Sequence, residues 1–314
     1  MILPVLFLTS SFVKKEDIRK IALAFSAGVF VYTLFLGIYK FFSLDILQFD
    51  DFTHANIAIY HPSYLSIYVA FAIAVMIDTL LGKPFNRLIL LFAISYLTVF
   101  CFLLASKVAI LGLFLSLLYY LFLGLKRKGA KYVSVFVITL FSGFLILLVY
   151  SPNLKNRLIT SPMSALANYK KVDSKDQASW PISFRIQILD CTKTLLENGN
   201  ILYGYGTGDS NDELKKCYRE KEYGWLMVRD LNSHNEYLNI LLKVGLVGLC
   251  LLLICLFYPF FTGKGFTENK MYFVFLVLTI LVFLGENFLD RHKGVIFYSF
   301  FNSLFMLGIT PKRL

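Results

Sequence analysis

The chain has 314 residues, 57% of them hydrophobic and 17% aromatic, with 31 Lys and Arg against 20 Asp and Glu. A mean hydropathy of +0.66 and 32 phenylalanines exceed what one water-facing domain of this length can bury, so the bilayer is the solvent for most of the chain. The net charge of +11 does not point to nucleic acid, because the basic residues come as short clusters between long apolar runs, as in the loops of a polytopic membrane protein.

In chain order, residues 2–13 form a short apolar stretch with no basic residues before it, read as a partial membrane segment. Apolar windows of about 20 residues then predict spanning helices near 20–42, 62–81, 88–105, 108–125, 132–150, 237–261, 271–289 and 295–309. The predicted fold is an all-α polytopic bundle of eight or nine membrane helices with one large, partly helical outer loop. Residues 1–150 and 237–314 supply the spans, and 151–236 the loop. Only Ser106 and Lys107 separate two of the spans, which predicts a tight helical hairpin.

Positive charge sets the orientation. Lys14, Lys15, Arg19 and Lys20, then Lys83 and Arg87, then Lys126, Arg127, Lys128 and Lys131, then Lys264 and Lys270, and finally Lys312 and Arg313 fall on one side, which the positive-inside rule makes cytoplasmic. The opposite side receives the 44–61 loop, the Ser106-Lys107 turn, the 151–236 segment and the turn at Asp290-Arg291-His292-Lys293. All four histidines, His54, His61, His234 and His292, land there.

Within 151–236, acidic and basic residues nearly balance, so the segment is not simply a tether to anionic lipid. Phe184, Ile188, Cys191 and Leu195 recur at the spacing of an amphipathic helix over about 183–198. Ser183 is placed to cap its start and Asn198-Gly199 to end it. Tyr203-Gly204-Tyr205-Gly206-Thr207-Gly208 follows as a glycine-rich turn, read as loop geometry rather than a nucleotide cradle. The Cys pattern has no CxxC and no zinc spacing. Cys191 and Cys217 either form a disulfide, which an oxidising compartment allows, or stay as two thiols.

His234, in Asn232-Ser233-His234-Asn235-Glu236-Tyr237, stands where the outer segment re-enters the membrane. It is either an interfacial histidine satisfied by headgroups or a group that moves a proton near neutral pH. Arg185 can clamp a phosphate through its planar fork, and charge alone does not separate it from Arg219 and Arg229. Lys107 and Arg291 add outward cations that either snorkel to headgroups or bind an anion. Lys243 and Glu286 lie inside apolar runs, where an ionisable group needs a partner or an aqueous cavity, and a mutual ion pair is the simplest arrangement. There is no GxSxG and no HExxH. Outward cations beside one membrane-proximal histidine suit an anionic amphiphile such as a lipid diphosphate.

Ser183-Phe184-Arg185, Leu202-Tyr203-Gly204-Tyr205-Gly206, and His234-Asn235-Glu236-Tyr237-Leu238 running into Gly245-Leu246-Val247-Gly248 together resemble the O-antigen ligase family. That family belongs to the superfamily of O-antigen polymerases and protein O-oligosaccharyltransferases. His61-Pro62-Ser63-Tyr64, Ser106-Lys107, Glu286-Asn287 and Asp290-Arg291 resemble family positions too, especially in Bacteroidetes-like members. The resemblance implies a metal-independent, cofactor-free inner-membrane glycosyltransferase with a GT-C-like bundle, working on the periplasmic face. Its donor would be a glycan on undecaprenyl diphosphate, and its acceptor the lipid A-core of a ligase or the second lipid-linked glycan of a polymerase.

By the same resemblance His234 and Arg185 would be catalytic, Lys107 and Arg291 would bind diphosphate, and His61, Asn235 and Glu286 would support them. Lys107 stands where many members carry Arg, and Lys243 where an acidic residue is common. Members usually have about a dozen spans, which implies either that two or three N-terminal helices are missing or that the start codon is misassigned. A transporter of the same glycan would place polar residues at the midplane of several spans. Here polar residues gather at one face instead, which favours a surface-acting enzyme.

Overall fold

The computed structural model describes residues 14–43, 62–82, 86–104, 106–125, 142, 180–223, 226–227, 231–261 and 270–309. Among these, regular structure is helical throughout. The helices are α1 (Lys15–Ser43), α2 (Pro62–Leu81), α3 (Arg87–Leu103), α4 (Lys107–Leu125), α5 (Trp180–Asn198), α6 (Ser210–Glu220), α7 (Glu236–Phe261), α8 (Lys270–Phe283) and α9 (His292–Ile309). A 3-10 turn, Phe288–Asp290, precedes α9. Stretches Asp17–Tyr39, Pro62–Leu81 and Glu236–Phe261 are long and apolar enough to cross a bilayer, and α3, α4 and α8 carry shorter apolar helices. The protein is a helical polytopic membrane protein. The segment at 2–13, the span at 132–150, the loops at 44–61 and 151–179, His54, His61, Arg229 and the basic residues at 83, 126–131, 264, 312 and 313 lie outside the described residues.

Two compact units divide the chain. The first contains α1 to α4, nearly all of α8, and α9. Its centre is α2, apolar on every side and buried along almost its whole length, as expected of a helix surrounded by others. Phe71 of α2 meets Phe275 of α8 and Phe301 of α9 at ring-centroid distances of 5.6 and 4.7 Å, and Phe25 of α1 reaches Phe301 at 4.9 Å. These edge-on pairs interlock aromatic rings from four helices. Asp78, near the end of α2, is met by Arg19 of α1, whose Nη2 donates to its carbonyl at 2.7 Å and its carboxylate at 3.2 Å.

Asn86 caps α3 by accepting from the amides of Leu88 and Ile89. The expected tight hairpin is not formed: α3 and α4 each pack mainly on α2 and touch one another little. The span expected over 271–289 is shorter, because α8 ends at Phe283 and residues 284–291 form a turn. Gly285 opens that turn, and Glu286, Asn287 and Asp290 make it too polar to continue as a lipid-facing helix.

The second unit contains α5, α6, α7 and the 283–291 turn. The expected stripe on α5 is the buried one: Phe184, Ile188, Cys191 and Leu195 pack with Leu214, Cys217 and Tyr218 of α6, with Leu226, and with Leu242 of α7. Helix α5 starts at Trp180, so Ser183 lies in its first turn rather than capping it, while Asn198 does end it. Cys191 and Cys217 form a disulfide across α5 and α6, with Cα atoms 5.8 Å apart. Outside this core Asp190 accepts from Lys221 Nζ at 2.7 Å and from the Tyr223 hydroxyl at 2.8 Å. The Lys221 ammonium holds the Asp190 carboxyl below its ordinary range.

Helix α7 is broken at Gly245, whose φ of 70° and ψ of −165° are not helical. The glycine-rich turn fills the break. Tyr205 and Gly206 amides donate to the carbonyls of Leu242 and Lys243 at 2.7 and 2.9 Å, and the amides of Leu246 and Val247 donate back to the carbonyls of Ile201 and Leu202 at 2.8 and 3.4 Å. A break in a membrane helix frees backbone groups that lipid cannot satisfy, and here another segment of protein satisfies them. Gly204 also has positive φ, at 70°. A Cβ on Gly204 would meet the Leu242 carbonyl at 2.6 Å, and one on Gly245 the Leu202 carbonyl at 2.2 Å.

Candidate functional site

The candidate site lies in the second unit, where the 231–239 segment meets the 283–291 turn. Asn235 begins the local order: its side-chain oxygen accepts from the Leu238 amide at 3.0 Å, capping α7, and its Nδ2 donates to the Leu284 carbonyl at 3.3 Å. Asn287, nearly buried, answers from the other side. Its Oδ1 accepts from the Asn235 amide at 2.8 Å and lies 3.1 Å from the Ser233 hydroxyl. Buried Glu236 accepts from the Leu289 amide at 2.7 Å through one oxygen and from Asn239 Nδ2 at 3.2 Å through the other. The two segments are thus stitched by side chains that satisfy each other's backbone.

His234 sits between these anchors with a left-handed φ of 45°, a conformation that costs a non-glycine residue about 1–2 kcal/mol and is held by bonds to Ser233 and Asn235 on either side. The Asn232 side chain accepts from the His234 amide at 3.3 Å. The imidazole Nδ1 lies 3.6 Å from Glu286 Oε2, too long for a strong hydrogen bond, with the carboxylate facing the ring. The His234 side chain keeps 30% exposure and Glu286 15%, so the ring is supported on one side and accessible on the other.

Arg185 is exposed on α5, and its Nη2 donates to the Gly285 carbonyl at 3.1 Å. That bond ties the arginine to the turn bearing Glu286 and leaves other guanidinium donors of the fork for an anion. The pair expected between Lys243 and Glu286 is not made. Lys243 Nζ meets Asp290 Oδ1 at 2.6 Å instead, because the end of α8 at Phe283 puts Asp290 on the turn facing α7, while Glu286 faces His234.

A cleft of about 380 Å³ opens beside this pair, lined by Asn211, Lys215, Leu231, Asn232, Lys243, Asp290 and Arg291. It is a polar hollow with three cations and one carboxylate. Asn211 and Lys215 come from α6, a helix the sequence reading did not predict. Its signal was the recurrence of Leu214, Cys217 and Tyr218 on one face. Of the other expected residues, Lys107 begins α4 in the first unit and is exposed, Arg219 is exposed on α6, and His61 lies outside the described residues. Among the described residues no three His, Cys, Asp or Glu side chains converge as metal ligands.

The family model described as O-antigen ligase matches residues 90–253, more than half of the chain. The chain belongs to the O-antigen ligase family. Membership carries a ligase or polymerase type of glycosyl transfer at the membrane. The stretch matched to O-antigen ligases includes Arg185, the glycine-rich turn, His234 and the break at Gly245, but stops short of the turn bearing Glu286, Asp290 and Arg291. No curated protein matches the chain.

Proposed function

We propose that this O-antigen ligase family member transfers a glycan from undecaprenyl diphosphate to lipid A-core on the periplasmic face of the inner membrane, without a metal or cofactor. In this reading residues 151–236 form the outward loop between the spans of 1–150 and those of 237–314. The observation that carries it is His234, strained into a left-handed turn and held beside Glu286, on the same stitched segment pair that Arg185 grips. The Cys191–Cys217 bond supports the outward placement, since disulfides persist in oxidising compartments.

The chemistry is a single in-line displacement. An acceptor hydroxyl oxygen attacks the anomeric carbon of the donor sugar, and its proton passes to the His234 imidazole. The bond from the anomeric carbon to the diphosphate oxygen breaks, the electron pair leaves with the diphosphate, and the configuration inverts. Glu286 stabilises the imidazolium that results. Fixed cations stabilise the charge that develops on the leaving group: Arg185, with Arg291 as a further diphosphate ligand. Asn235 fixes the turn that presents His234.

The test is glycan transfer in purified membranes with an undecaprenyl-diphosphate glycan, a lipid A-core acceptor and EDTA, comparing the native chain with His234→Ala and Arg185→Ala at matched expression. Transfer to core that survives EDTA and fails in both variants is the expected result. Chain growth without core transfer would reassign the protein as a polymerase. Movement of the lipid-linked glycan across the membrane without transfer would make it a transporter.

A further inference from the structure

The turn at Ile201-Leu202-Tyr203 exposes three large apolar side chains in a row, at 47%, 50% and 70%. Exposed apolar groups scattered singly need no explanation, but a contiguous patch marks an interaction surface. This patch is rigidly built. The Asn200 side chain accepts from the Leu202 and Tyr203 amides at 3.0 and 3.4 Å, and its carbonyl accepts from Gly204 at 2.8 Å, while Tyr205 turns inward to donate to the Leu195 carbonyl at 2.6 Å.

Where the patch lies relative to the bilayer follows from α7. From Leu246 to Phe261 the helix has no charged residue, and Lys264 follows soon after. That uninterrupted stretch is about 16 residues, or roughly 24 Å at 1.5 Å per residue, against a hydrocarbon core of about 30 Å. The remaining distance, about four residues of helix, carries the outer boundary back to the neighbourhood of Leu242. The break at Gly245 and the turn hydrogen-bonded into it therefore sit at the edge of the hydrocarbon. Leu246, Val247 and Leu251, exposed on the same helix, continue the apolar surface from the turn into the span. Lys243, which would be costly at that depth alone, is paired with Asp290.

We propose that Ile201-Leu202-Tyr203 is a membrane-embedded turn, its side chains in contact with phospholipid acyl chains of the outer leaflet and the Tyr203 ring at headgroup level. The occupant is lipid because the surface is continuous with a bilayer-facing helix and carries no charge. Tyrosine is also the residue type that favours this interface. The assignment is independent of which acceptor the protein uses. It ties the loop unit to a fixed height above the membrane, the height at which the diphosphate of a polyprenyl lipid lies.

The test is fluorescence depth measurement on the full chain in phospholipid vesicles. Both native tryptophans, Trp180 and Trp225, are replaced by Phe, and Tyr203→Trp supplies the probe. The expected result is that lipids brominated near the glycerol end of the acyl chain cut Trp emission by about half, while aqueous acrylamide quenches several-fold less than it quenches free tryptophan. Strong acrylamide quenching with no bromolipid effect would overturn the proposal. Bromolipid quenching that appears only when protein is diluted in lipid would also overturn it, since a second copy would then be the occupant. Should Tyr203→Trp fail to fold, Leu202→Trp in the same background reads the same depth.

Discussion

His234 Nδ1 and Glu286 Oε2 face each other across 3.6 Å, although 52 positions separate them in the chain and only one of the two lies within the stretch matched to the family. Their approach depends on Asn287, which fixes the segment carrying His234 from the turn carrying Glu286. The two residues should therefore act as a unit. His234→Ala is expected to lower turnover by about 10²- to 10⁴-fold and Glu286→Gln by about tenfold. The double variant should be no slower than His234→Ala alone, because a carboxylate without its imidazolium has nothing to stabilise. Independent, multiplying losses would show that Glu286 serves something else.

The disulfide closes a loop of 26 residues between α5 and α6. In the chain-entropy account such a closure stabilises by about 3.5 kcal/mol. Cys217→Ser should lower the unfolding free energy of the detergent-solubilised protein by that order, and reductant should do the same to the native chain and nothing to the variant. A non-reducing mobility shift that persists in Cys217→Ser would show that the bridge is not between these two residues.

Asp190 gives the second unit an acid-sensitive contact. Its folded carboxyl is held below the usual value by Lys221, so the stabilisation is fully present above the unfolded pKa of about 3.9 and is lost as pH falls through the lower folded value. The carboxylate is 43% exposed, so Asp190→Asn should cost only about 1 kcal/mol at pH 7. Melting curves of native and variant protein should converge below about pH 4. A gap that stays constant down to pH 2 would assign the loss to packing instead of charge.

Much of this fold was legible because the apolar runs that mark spans are long, and the buried stripe of α5 repeats at helical spacing. Seven of the expected spans coincide with described helices to within a few residues, apart from the early end of α8. The outcomes that were missed share a cause. Gly245 reads as one more small residue in an apolar run, and nothing local shows that a turn about 40 residues earlier supplies its hydrogen bonds. Lys243 meets Glu286 only if 271–289 is one straight helix. Once α8 stops at Phe283, Asp290 becomes its partner. Short α6, with few apolar residues, is too polar to register in a hydropathy window, yet it contributes Lys215 to the cleft.

Lys243 and Asp290 are 13% and 25% exposed, so removing one leaves the other partly buried. Lys243→Met and Asp290→Asn should each destabilise, and the double variant should recover about 1 kcal/mol relative to the sum. Additive effects in a double-mutant cycle would mean that the pair contributes no coupling.

Gly204→Ala and Gly245→Ala should both be severe. The positive φ alone costs about 1–2 kcal/mol, and each added methyl would press into the other segment's backbone. Gly208→Ala, with open space around it, is the control and should melt like the native chain. Equal midpoints for all three would remove the interlock as a source of stability.

That interlock also has a consequence for biosynthesis. The 201–206 turn leaves the ribosome before α7, so it is already synthesised when α7 enters the bilayer. The flaw at Gly245, intolerable in an isolated hydrophobic segment, thus meets its mate on arrival. Exchanging α7 for a straight, glycine-free helix would make insertion easier and leave the 201–206 turn with no seat, turning a well-inserted protein into one whose second unit has lost its interlock.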